Sequence, residues 1–104
     1  MKDDYTDAQE KSGFHVGDRV IIFRKIKHAD EGGWGNIWDS EMDATIGSVG
    51  VILSIGGISA RSGIKVQVNS ASFGYWWYPY FCLIKEDIFK DKADVETFTD
   101  LISI

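Results

Sequence analysis

Apolar positions along the chain fall into a period of two over most of its middle. Phe14, Val16, Val20, Ile22 and Ile26 share one parity, and Arg19, Lys25 and Lys27 fall on the other, along with Ile21 and Phe23. That alternation predicts a first β-strand, with a bend at Gly17-Asp18 near its start. Val49, Val51, Leu53 and Ile55 alternate in the same way and predict a second strand, ended by Gly56-Gly57. Ile64, Val66 and Val68, with Lys65 and Gln67 facing out, predict a third. Tyr75 to Tyr78 predicts a fourth, stopped by Pro79, which cannot donate to a ladder. Phe81 to Ile84 reads as a short fifth strand or a single helical turn.

Between the first two strands, residues 28–48 read as a long loop punctuated by Gly32, Gly33 and Gly35. It also holds Trp34, Ile37, Trp38 and Met42, too apolar a set for a solvated loop, so it should fold back onto the body. Residues 1–12 are polar, with Tyr5 the one aromatic, and read as a flexible N-terminal tail. After Lys85 the composition turns acidic. Ile88, Phe89, Val95, Phe98, Leu101 and Ile102 occur among carboxylates and predict a helix within 86–102 that covers an edge or end of the sheet. The expected architecture is all-β: a small barrel of about five strands over residues 13–85, followed by an acidic, helical extension over 86–104.

At 104 residues the chain is one domain by length. Its single cysteine, Cys82, forms no internal disulfide, and a reducing compartment is favoured. The N-terminal stretch lacks the apolar segment of a signal peptide, and no apolar run is long enough to span a bilayer. A soluble cytoplasmic protein, with no membrane association, is the expectation. The net charge of −5 is unevenly placed: −2 over residues 1–12, +1 over 13–85 and −4 over 86–104. Overall acidity opposes general nucleic-acid binding, although the near-neutral middle weakens that objection.

Motifs of catalysis are scarce. There is no Gly-Lys-Ser/Thr phosphate loop and no G-x-G-x-x-G. His15 and His28 lack zinc-ligand spacing with Cys82. Asp39, Glu41 and Asp43 begin like a calcium loop, but Ala44 and Gly50 stand where glycine and glutamate are needed. Cys82 lies between Phe81 and Leu83, an apolar setting that favours an inert thiol. Ser59 lacks the second glycine of a nucleophile elbow. The expectation is a protein that is not an enzyme and uses no cofactor and no metal.

The remaining signal is aromatic. Trp34 and Trp38 cluster in the long loop, and Trp76 and Trp77 in the fourth strand. On that strand Trp76 and Tyr78 face one way, Tyr75 and Trp77 the other. A small barrel has one interior, so one pair faces out or is covered by the loop and the C-terminal segment. An exposed aromatic strip beside a loop has the form of a peptide groove. The candidate ligand-binding set is Trp34, Trp76, Tyr78 and Tyr75 for apolar and stacking contacts, with Arg24, Lys25 and Lys27 at the rim.

Several stretches in order resemble a known family. They are Phe14-x-Val16-Gly17-Asp18-Arg19-Val20, then Trp38 with Met42, then Ile46-Gly47-x-x-Gly50-x-Ile52 with Ile55 beyond it. Val66-x-Val68 follows, and then Trp77-x-Pro79 with Cys82-Leu83. Together they resemble the SH3-like repeat of the mind bomb ubiquitin ligases over about 70 residues. The resemblance implies an SH3-like barrel and protein binding, since those repeats help grip short linear segments of Notch-ligand tails. It carries no ligase chemistry. A single copy stands here, the connection from Gly56 to Gly63 is longer, and the acidic extension lies outside the match. No Ala-Leu-Tyr-Asp-Tyr-like segment is present, so a proline-rich ligand is not implied. Three functions follow from these readings. The first is a protein-interaction module for an extended peptide, as a monomer or weak homodimer. The second is a small nucleic-acid-binding barrel. The third is a structural or regulatory subunit with its aromatic patch buried in an oligomer.

Overall fold

The computed structural model describes residues 3–68 and 74–88. Five strands, β1 (Arg19–Ile22), β2 (Val49–Ile55), β3 (Ile64–Gln67), β4 (Tyr75–Tyr78) and β5 (Leu83–Lys85), form one antiparallel sheet in the order β4-β3-β2-β1-β5. Consecutive strands β1 to β4 lie side by side, and the chain then returns so that β5 pairs with β1 on its other side. Pro79 ends β4. A 3₁₀ turn at Tyr80–Cys82 then re-aims the chain into β5, so the last segment is both turn and strand.

β2, β3 and β4 fall where the alternation predicts them. β1 is shorter than expected. Gly17 and Asp18 turn the chain before it, Gly17 N donates to Ile52 O at 2.8 Å, and Val16 is exposed. Beyond Ile22 the chain keeps one contact with the sheet, Phe23 N to Cys82 O at 2.9 Å, and then departs.

The buried side of the sheet is set by register. Val20 faces Gly50, Ile52 faces Val66, and Val66 faces Trp76. Val20, Ile22, Ile52, Ile64, Val66, Tyr78 and Leu83 form the core with Tyr5, Trp34, Met42 and Val68. On β2, Val49 is 39% exposed and Leu53 41%, while Gly50 and Ile52 point inward. A register irregularity between Ile52 and Ser54 marks a bulge at Leu53, after which the parity of the strand reverses.

The N-terminal segment differs from its expectation. Residues 4–11 form a helix, α1 (Asp4–Lys11), where a flexible tail is expected. Asp3 caps it by accepting from Thr6 N at 2.7 Å, and Lys11 pairs with Asp7 at 2.9 Å. Eight residues are too few to be stable alone, so tertiary contact must hold the helix. Tyr5 supplies it by inserting into the core, where its hydroxyl donates to Gln9 Oε1 at 2.9 Å. Gln9 Nε2 in turn donates to Ala60 O at 3.1 Å.

Glu86 to Ile88 are helical as the described residues end. The rest of the predicted acidic helix, and the turn at 69–73, lie outside the described residues. Among the described residues no helix is long and apolar enough to cross a membrane.

Candidate functional site

The long connection from β1 to β2 folds onto the sheet, as its tryptophans require. Its first fixed point is an ion pair. Arg24 Nη2 donates to Glu31 Oε2 at 2.8 Å, and Nη1 donates to Oε1 at 3.2 Å. Glu31 Oε1 also accepts from Lys27 N at 2.7 Å. The Arg24 guanidinium lies over the Phe81 ring, 5.0 Å from its centroid. The two-pronged contact holds the Glu31 carboxyl below its usual range and raises Arg24. Asp30 sits in the left-handed region at φ 63° and turns the chain into a 3₁₀ turn at Glu31–Gly33.

Trp34 follows that turn into the core. Its Nε1 donates to Ser62 O at 3.0 Å. Gly63 makes the seat: a Cβ there would lie 2.7 Å from Trp34 Nε1 and 2.5 Å from Tyr78 O, and its φ is +101°. Trp38 comes next and stops at the surface of the core. It meets Tyr78 edge-on at 5.8 Å and donates from Nε1 to Asp43 Oδ1 at 2.8 Å. A 3₁₀ turn at Ser40–Thr45, capped by Asp39, carries Asp43 and Thr45 into place. Thr45 Oγ1 donates to Met42 O at 2.7 Å, which leaves the Tyr78 hydroxyl to donate to Thr45 at 2.6 Å. Burial pushes the Tyr78 phenol up to about 12.

The two arms of this loop enclose a cleft of about 410 Å³ between residues 25–30 and 36–40. Ile26, Ile37 and Trp38 give it an apolar lining. Ile37 is 82% exposed, far more than an aliphatic side chain with a packing role. Lys25, Lys27 and His28 stand on one arm, with Asp30 beyond them. Lys25 Nζ is 3.6 Å from Asp43, in a pair open to solvent.

The seven predicted site residues do not come together. Lys25 and Lys27 line the cleft. Trp34 and Tyr78 are wholly buried, and their assignment to a groove is corrected: both are core side chains with their polar atoms satisfied inside. Trp76 faces the same way as Val66 and packs against the core. Tyr75 lies on the opposite sheet face, under Lys65 Nζ, which is 4.0 Å from its ring centroid. Arg24 is committed to Glu31. The cleft instead uses Ile37 and Trp38. The sequence signal for them was the apolar loop itself: of its two tryptophans, the one beside the conformationally free glycines went inside.

A second cavity of about 420 Å³ is lined by Gly17, Asp18, Arg19, Lys85, Glu86 and Asp87. Its charges meet one another, Lys85 with Asp18 at 3.6 Å and Arg19 with Glu86 at 3.1 Å. Cys82 is buried and its thiol is pushed up to about 12 by burial. Among the described residues no three His, Cys, Asp or Glu side chains are grouped to hold a metal ion. No protein-family model matches the chain, and no curated protein matches it.

Proposed function

We propose that this chain is a non-catalytic protein-interaction module, an SH3-like barrel that takes an extended peptide in the cleft between residues 25–30 and 36–40. The observation that carries the reading is Ile37 beside Trp38: two large apolar side chains presented at an open cleft whose rim holds Lys25, Lys27 and His28. An apolar anchor of the peptide packs on Trp38 and Ile37, and acidic side chains flanking it meet the lysines. The strand order, with the first strand between the second and the fifth, supports the barrel. So does the ordered resemblance to the mind bomb repeat. One small cleft supports micromolar affinity, on the order of −8 kcal/mol.

Selection from a random displayed peptide library tests this. The expected outcome is a family of sequences with one large apolar residue flanked by Asp or Glu. Ile37→Ser and Lys27→Glu should each weaken capture of the selected peptides roughly tenfold, about 1.4 kcal/mol, and leave the fold intact because both side chains are exposed. Loss of binding only with Trp76→Ala would return the site to the sheet. Binding to single-stranded oligonucleotides that falls steeply with salt, with no peptide selected, would replace the reading with a nucleic-acid one.

A further inference from the structure

The first arm of the cleft carries a histidine whose ring is already oriented. His28 lines the cleft, and its Nδ1 lies 2.8 Å from Ala29 O. A carbonyl oxygen can only accept, so Nδ1 carries the proton and donates. In the neutral ring Nε2 is then a bare acceptor. Protonation turns Nε2 into a second donor with a positive charge.

That exchange matters to an anion. A carboxylate brought to Nε2 of the neutral ring sets acceptor against acceptor. The same carboxylate meets a charge-assisted donor once the ring is protonated. Binding and protonation therefore favour one another, and by linkage the factor is the same in both directions. Among the described residues lining the cleft, Lys25, Lys27 and Asp30 share the arm of His28, and the facing arm contributes Asn36, Ile37, Trp38 and Ser40, which are uncharged. Behind them, Asp43 stands 3.6 Å from Lys25 and accepts from Trp38, Asp39 caps the turn that carries Glu41, and Glu31 is held by Arg24. Lysines and carboxylates ordinarily titrate outside pH 5.5–8, and imidazole inside it. His15, the one other histidine, lies outside the cleft, 3.9 Å from Asp18.

We propose, on the peptide reading of the cleft, that protonation of His28 strengthens capture of an acidic segment, so that His28 regulates the cleft by pH. An acidic peptide is held about tenfold more tightly at pH 5.5 than at pH 8, and its binding takes up a proton.

The tautomer is read first, on the free protein. Long-range proton–nitrogen spectra of the imidazoles at pH 8 should show His28 with its proton on Nδ1. A proton held on Nε2 instead would overturn the proposal. Calorimetry then follows binding of an acidic peptide selected from the displayed library, between pH 8 and pH 5.5. The enthalpy near pH 6.5 should vary with the ionisation heat of the buffer, in the sense of proton uptake. His28→Asn should flatten the pH dependence, and His15→Asn should keep it. An analogue of the peptide with Asn and Gln in place of Asp and Glu should show none. The Trp34 indole signal reports that each variant is folded. If the peptide binds the wild-type chain equally at both pH values, or if His28→Asn keeps the dependence, the proposal is overturned and the peptide reading stands. If no peptide binds at any pH, that reading falls and the proposal with it.

Discussion

A Cβ on Gly50 would lie 2.5 Å from Val66 Cγ1 and 2.6 Å from Gln67 O. The second of these is backbone, which cannot rotate aside. Gly50 therefore fixes how closely β2 and β3 approach on the core side, opposite Val20. Gly50→Ala is expected to cost about 2–3 kcal/mol by overpacking, read as a lowered urea midpoint at unchanged slope. Val49→Thr, one residue away but outward, should stay within about 1 kcal/mol. Equal losses would mean that the inner face has been assigned to the wrong parity. This position also shows why alternation misleads on β2. Counting apolar residues favours Val49, Val51, Leu53 and Ile55 for the interior, because glycine contributes nothing to a hydrophobic count. Packing selects the face where a missing side chain lets the strands meet.

At the scale of elements, α1 was readable by its ends and not by its face. Asp3 at the cap, Asp4 and Asp7 in the first turn and Lys11 in the last are start and stop signals of a helix. Only Tyr5 marks an apolar side, so the periodicity that identifies most helices is too weak to see. The helix is held by Tyr5 in the core and by the bond from Gln9 to Ala60 O. The Tyr5 ring stands 5.3 Å from Tyr80, and burial raises its phenol above the ordinary value. Tyr5→Ala is expected to cost about 3–4 kcal/mol, as for other buried aromatics, and to speed amide exchange through Asp4–Lys11. Gln9→Ala removes the bond to Ala60 O and should cost about 1 kcal/mol. If Tyr5→Ala left the thermal midpoint unchanged, α1 would be an appendage, and residues 1–12 would behave as the tail that their polarity suggests. The strands were legible because β2, β3 and β4 carry alternation bounded by glycine and proline. The cleft was only half legible. The apolar loop announced a packed structure, but which tryptophan enters the core depends on Gly63 and Ser62, distant in sequence and close only after folding.

For the whole molecule, the Arg24–Glu31 pair joins the long loop between β1 and β2 to the sheet. Arg24 reaches back over Phe81, beside β5, while Glu31 closes the arm that carries Lys25, Lys27 and His28. Both side chains are largely buried, so the pair is screened less than a surface ion pair. Sequence reading placed Arg24 at the rim because charge alone cannot tell a loop brace from a docking group. The bond makes a pH prediction whose sign is fixed. Glu31 has a folded-state value below its ordinary one near 4.5. Its contribution is therefore present above the unfolded value and is lost as pH falls through the lower, folded one. Glu31→Gln keeps the shape but removes the charge, and should cost about 1–2 kcal/mol at pH 7. Urea unfolding of both proteins from pH 7 downward should show the gap narrowing below about pH 4.5 and closing once Glu31 is protonated in the folded state. A gap that stayed constant across that range would mean that the cost comes from altered packing, not from the charge. The same titration should reach the cleft. If the brace positions Lys25 and Lys27, Glu31→Gln weakens capture of selected acidic peptides at pH 7 without touching Ile37 or Trp38. The wild-type chain then approaches that weaker binding as acid removes the brace.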